Sequence, residues 1–143
     1  MTNQFSDWLA QHGLSTVFVT NAGDGFYANR EKLFGVIRKN GEYGVHSFYL
    51  DDIVGFQTYD DENLVTEWNA ATNWRILPKN NRYSTNEVYM KLFMRNGAIL
   101  RLQIFKATQG NVRRDSADHV NLLNYACQIS QIIYNYANNI QNV

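Results

Sequence analysis

A chain of 143 residues with 45% hydrophobic and 14% aromatic content has the size of one domain, and such a domain buries roughly two-thirds of the surface of its unfolded chain, so it needs no staple. Thirteen basic residues balance thirteen acidic ones, which excludes a global positive field of the kind that selects nucleic acid or acidic membranes. The longest apolar runs fall well short of the roughly 20 residues of a membrane span, and MTNQFSDWLAQHG lacks the pattern of a signal peptide, so a cytoplasmic protein is expected, in keeping with the single Cys127.

In chain order, Phe5 to His12 reads as a short helix with Ser6 as N-cap, Phe5, Trp8 and Leu9 on one side and Gly13 to end it. Leu14 to Thr20 is rich in β-branched residues and reads as a strand. Asn21 to Gly25 is a turn, since the alternating ligands and later glutamate of a calcium loop are missing. Lys32 to Arg38 and Tyr43 to Tyr49 flank Asn40-Gly41, a strong hairpin signal. A two-residue loop sets Val36 opposite Val45 and a three-residue loop sets Arg38 opposite Glu42, and the strand ends do not choose between them.

Leu50-Asp51-Asp52-Ile53 interrupts the apolar pattern as a bend before the strand Val54 to Tyr59. Asp51 and Asp52 are adjacent, so on an extended chain they point apart and make a poor acid–base pair. Asp60 to Asn63 reads as a solvated acidic turn, and Leu64 to Trp68 as the next strand. Asn69 to Tyr83 reads as a loop with Trp74 as anchor, closed by Pro78.

Val88, Met90 and Leu92 alternate with Tyr89, Lys91 and Phe93, and Leu100, Leu102 and Ile104 alternate with Ile99, Arg101 and Gln103, the period of half-buried strands. A two-residue turn at Asn96-Gly97 would oppose Leu92 to Arg101, mixing core with solvent. A loop of Arg95, Asn96 and Gly97 instead pairs Leu92 with Leu100, Met90 with Leu102 and Val88 with Ile104. Lys91 then opposes Arg101 on the outer face, between the pairs Phe93–Ile99 and Tyr89–Gln103. Like charges directly opposite are mildly destabilising. Either both side chains diverge into water, or they hold an acidic partner or phosphate while Tyr89 and Phe93 supply apolar contact. Arg113 and Arg114 precede a helix N-terminus capped by Asp115 or Ser116, a position suited to an anion.

The last element, Asp115 to Gln141, reads as a long amphipathic helix with the stripe Leu122, Ala126, Ile129, Ile133, Tyr136 and Ile140, widened by Leu123, Cys127, Tyr134 and Ala137. That breadth asks for a sheet beneath it. Cys127 reads as a buried, inert thiol. From His119 onward the chain has no Asp, Glu, Lys or Arg. Its amide-rich polar face reflects composition or meets a partner, because amides are easier to desolvate than charges.

The segments LDDIVGFQ (Leu50 to Gln57), Val88 to Phe105 and RRDSADHVNLLNYACQI (Arg113 to Ile129), in this order, resemble the pleckstrin-homology-like domains of uncharacterised Gram-positive bacterial and phage proteins. The resemblance implies an α+β, mainly β domain over residues 1–143. In it one strongly bent, nearly closed antiparallel sheet of six to seven strands, a β barrel in outline, is closed by the long C-terminal helix and preceded by a short one. It implies no activity, and no basic phosphoinositide loop is present to carry lipid binding over. The expectation is a non-enzymatic binding or scaffolding module with an unidentified, acidic protein partner and a capacity to dimerise through the uncharged helix face and the Phe93–Ile99 pair. The candidate binding residues are Tyr89, Lys91, Phe93, Arg101, Arg113 and Arg114, with no catalytic residue, metal or cofactor. The alternatives are a small enzyme with a cavity under the C-terminal helix and a weak anion or nucleic-acid binder. His12, His46 and His119 are dispersed and have no metal-ligand spacing.

Overall fold

The computed structural model describes residues 4–69, 72–76, 84–107, 112–113 and 117–140. Helix α1 (Gln4–Gln11) leads into strands β1 (Ser15–Val19), β2 (Gly25–Asn29), β3 (Phe34–Arg38) and β4 (His46–Tyr49) and a 3₁₀ turn over Leu50–Asp52. Strands β5 (Ile53–Asp60), β6 (Asn63–Asn69), β7 (Thr72–Ile76), β8 (Ser84–Thr85), β9 (Glu87–Met94), β10 (Ile99–Lys106) and β11 (Val112–Arg113) follow, and helix α2 (Ala117–Ala137) closes the series.

The mainly β architecture with a short N-terminal and a long C-terminal helix is as the sequence implies. The single, nearly closed sheet is not. Among the described residues an antiparallel meander, β1-β2-β3-β4, and a second antiparallel sheet of order β10-β9-β5-β6-β7 are separate, β8 and β11 form a two-stranded ribbon, and there is no closed barrel. The break falls at Leu50, whose side chain is buried and whose N–H is held by the Leu33 carbonyl at 2.7 Å, turning the chain out of the first ladder before β5 begins.

Strand β2 has no counterpart among the expected elements. Phe26 lies in the main core, whereas Tyr27 joins a smaller cluster with Leu9, Leu14 and Val36 beneath α1. With both faces covered, the strand has no polar alternation to betray it. The hairpin at Asn40-Gly41 takes neither expected register, since Ile37 opposes His46 and Val36 opposes Ser47. Arg38 instead pairs with Gly25 of β2, and the next two residues are drawn away by the β1–β2 turn. Lys39 Nζ reaches the Asp24 carboxylate (2.5 Å), and Asn40 gives its N–H to Asp24 Oδ1 (2.9 Å) and its amide to the Ala22 carbonyl (3.0 Å).

The expected turn at Asn21 to Gly25 therefore joins the two sheets. Buried Asp24 also accepts the Gln103 N–H of β10 (2.8 Å), Thr20 Oγ1 donates to the Gln103 carbonyl (2.6 Å), and Lys39 Nζ donates to the Arg101 carbonyl (2.8 Å). Side chains here do part of what a continuous ladder would do in a closed barrel.

The loop expected from Asn69 to Tyr83 contains β7, paired with β6, and the anchoring of Trp74 and the Asp115 or Ser116 cap lie outside the described side chains. The acidic turn is not simply solvated. Asp60 is buried, and the Asp61 carboxylate accepts the N–H groups of Asn86 and Glu87, each at 3.0 Å.

Helix α2 lays Leu122, Ala126, Ile129 and Ile133 on the core, as the stripe predicts. It ends at Ala137, before the expected Gln141. Asn139 adopts the left-handed conformation (φ 52°) and Ile140 N–H returns to the Asn135 carbonyl at 2.7 Å, the Schellman pattern of a helix end. Ile140 consequently leaves the stripe and stands exposed. Cys127 is half-buried rather than buried, and that burial pushes its thiol pKa up, which keeps it protonated and unreactive.

Candidate functional site

The β9–β10 hairpin forms as its pattern dictates. Met94 N–H meets the Ala98 carbonyl and Gly97 N–H the Met94 carbonyl, each at 2.9 Å, with Gly97 at φ 90°, so Arg95, Asn96 and Gly97 are the loop. Leu92 opposes Leu100 and Met90 opposes Leu102 as expected. Val88 opposes Phe105 rather than Ile104, because the register slips between Gln103 and Phe105, where Thr20 and Asp24 hold the Gln103 backbone from the first sheet.

Strand β9 is bonded to β10 on one side and β5 on the other, so the outer face reads in rows. Arg101, Lys91 and Gln57 form one, Gln103, Tyr89 and Tyr59 the next, and Ile99, Phe93 and Gly55 a third. The opposed cations do not simply diverge into water. Arg101 lies over the Tyr89 ring at 3.8 Å, gives Nη2 to Glu87 Oε1 at 2.5 Å and Nε to Gln103 Oε1 at 3.2 Å. Lys91 Nζ lies 5.3 Å from the centre of the Tyr59 ring. A cation over an exposed ring gains about 0.5–1 kcal/mol, more than the few tenths lost to a like-charge cross-strand pair, so the two rings decide the arrangement.

The rings support each other. Tyr59 and Tyr89 stack at 5.4 Å and 19°, and the Tyr59 hydroxyl donates to Gln57 Oε1 at 2.7 Å. Burial pushes the Tyr59 pKa up, with Tyr89 and Glu67 adding to the shift, so the phenol keeps the proton it donates. Beside this lattice the Phe93–Ile99 pair is only partly covered, with Ile99 58% exposed.

Tyr89, Lys91, Phe93 and Arg101 thus share one surface. Arg113 does not join them: its backbone pairs with Ser84 in the small ribbon, its side chain lies outside the described set, and so does Arg114. The expected anion entrance at residues 113–116 therefore falls outside the description. Tyr59, Gln57 and Glu87 were not among the expected site residues. Tyr59 could be found only by knowing that β5 pairs with β9, a contact about 30 residues apart along the chain that periodicity within one segment does not encode.

The histidines go elsewhere. His46 Nε2 is 3.3 Å from Glu42 Oε2 at the surface, and His12 packs on Trp8 with ring centres 4.5 Å apart. His119 is fully buried, with Nε2 3.1 Å from Asp60 Oδ2, while Asp60 Oδ1 accepts the Thr85 hydroxyl at 2.6 Å. No group of three or more His, Cys, Asp or Glu residues placed to hold a metal occurs among the described residues, and no helix there is long and apolar enough to cross a membrane. Comparison with protein-family models, with curated proteins and with solved structures gave no match to this chain.

Proposed function

We propose that this chain is a non-enzymatic binding or scaffolding module, of pleckstrin-homology-like kind by its sequence motifs, that acts in a bacterial or phage cytoplasm and contacts a protein partner through the outer face of β5, β9 and β10. The observation that carries this reading is Lys91. Among the described residues its ammonium has an aromatic neighbour and no ion pair, and it sits one row from the partly exposed Phe93–Ile99 pair. A carboxylate on the partner would complete Lys91 while an apolar side chain covers Ile99, the mixture of aromatic, basic and apolar groups in which interfaces are enriched. Arg101 has a different task, because Glu87 already neutralises it. It fixes Tyr89 and, through Tyr89, the platform on which Lys91 lies.

The test is affinity capture and crosslinking with the wild type and with Lys91→Glu/Arg101→Glu. The double variant is expected to lose the partner while keeping its fold. An unchanged set of captured proteins removes this face from consideration. Light scattering at high micromolar concentration separates a foreign partner, which leaves the free chain monomeric, from a second copy bound through Ile99, which doubles the mass.

A further inference from the structure

A different surface, on the first sheet, carries an arginine whose charge the protein leaves open. Between α1 and the β3–β4 connection lies a cleft of about 350 Å³ whose walls include Phe5, Trp8, Arg38, Tyr43, Gly44 and Val45. The Phe5 ring meets the Tyr27 ring edge-on at 5.0 Å and lies nearly parallel to Trp8 at 6.1 Å, so its place is set by the small core beneath α1. Arg38 spreads its guanidinium over Phe5 at 4.2 Å. Among the described residues its side chain makes one hydrogen bond, a long one from Nε to the Glu42 carbonyl at 3.4 Å.

The contrast with the other arginines whose side chains are described is direct. Arg30 gives Nη2 to the Ile140 carbonyl at 3.0 Å, Arg95 gives Nη2 to the Asp51 carbonyl at 2.8 Å, and Arg101 gives Nη2 to Glu87 at 2.5 Å. Arg38 gives no terminal nitrogen to any described protein oxygen. The nearby acids are otherwise engaged, since Asp24 takes Lys39 and the Glu42 carboxylate faces His46. With Cζ 4.2 Å from the Phe5 ring centre, the guanidinium still carries its in-plane terminal N–H donors, the fork that matches a carboxylate or phosphate. Tyr43, on the same cleft, is fully exposed, an apolar surface left in water beside that cation.

We infer that this cleft binds a small planar aromatic compound bearing an oxyanion, the oxyanion on the terminal nitrogens of Arg38 and the ring against Trp8 and Tyr43. The volume lies at the low end for ligand pockets, which suits a single-ring compound. This site is independent of the Lys91 face, on the other sheet, so either can fail without the other.

The test is an amide and side-chain NMR titration of the full chain with phenyl phosphate and with phenylacetate, benzyl alcohol serving as the neutral ring. Saturable shifts are expected at the Arg38 Nε–H, the Trp8 indole N–H and Gly44 with at least one anion, and the tighter of the two identifies the oxyanion. Arg38→Gln should weaken that binding by about tenfold or more, the scale of charge-assisted hydrogen bonds. Arg38→Lys, which keeps the charge and loses the fork, should recover only part of it. Tyr43→Ala, at a fully exposed position that leaves folding intact, should weaken it a few-fold. Benzyl alcohol matching the anions, an unchanged affinity in Arg38→Gln with its spectrum otherwise intact, or no saturable shift in the wild type would overturn the inference.

Discussion

Strand β5 carries two polar surfaces back to back, and their treatment differs. On the inner face Thr58 and Asp60 are buried under α2, while on the outer face Gln57 and Tyr59 meet β9 and solvent. Inside, Thr58 Oγ1 and Thr66 Oγ1 lie 3.1 and 2.8 Å from Ser130 Oγ, and the Ser130 hydroxyl donates to the Ala126 carbonyl at 2.9 Å. One hydroxyl has one proton, so Ser130 accepts from both threonines. Asp60 gathers His119 and Thr85 in the same layer. Outside, the cations rest on rings, and Lys91 has no carboxylate among the described residues. The residue types that carry catalysis elsewhere, a His–Asp pair and hydroxyls, here hold a helix to a sheet. The bland-looking outer face keeps the open charge.

The largest expected effect lies on the inner side. Asp60→Ala removes the acceptor of both Thr85 and buried His119 and should cost about 3 kcal/mol in urea unfolding; a loss below about 1 kcal/mol would mean that the layer is not tightly closed. Ser130→Ala leaves both threonines without their shared acceptor and should cost about 1–2 kcal/mol by the same measurement. Lys91→Glu/Arg101→Glu gives up two ring contacts and a partly exposed ion pair with Glu87 and sets two glutamates opposite each other, so its unfolding free energy should fall by about 1–2 kcal/mol. A larger loss would move the outer face from recognition to architecture.

Smaller still is the effect of base. Burial raises the pKa of Tyr27, Tyr59, Tyr125 and Cys127 above ordinary values. Below the ordinary thiol and phenol ranges both states hold these protons and the contribution to stability is complete. As pH rises further the unfolded chain loses them first, so stability should decline through the alkaline limb. Cys127 should be alkylated more slowly at mildly alkaline pH in the folded protein than in urea. Equal rates would show that its partial burial has no chemical consequence.

How much of this was legible depends on whether the cause was local. The β9–β10 hairpin could be read from alternation and one Asn-Gly, because only one register keeps Leu92 and Leu100 on the same side. Helix α2 could be read from its stripe, apart from its end, which the left-handed Asn139 sets earlier than the apolar pattern does. Strand β2 could not, since α1 covers its second face and removes the period. The Asn40-Gly41 turn signal was overridden by Asp24, a neighbour only in space. Of the site, Tyr89, Lys91, Phe93 and Arg101 could be placed on one face from periodicity. Tyr59, which decides where Lys91 lies, waits on the pairing of β5 with β9. Asp60 looked like part of a solvated turn because nothing near it in sequence announces His119.

Either the open charge of the outer face or the buried hydroxyl layer around Ser130 serves recognition. Quantitative capture from lysate on immobilised wild type, Lys91→Glu/Arg101→Glu and Ser130→Ala, each confirmed folded at the temperature used, addresses this directly. The account predicts that the captured partner is retained by Ser130→Ala and lost by the outer-face variant; retention by the outer-face variant with loss in Ser130→Ala would contradict it.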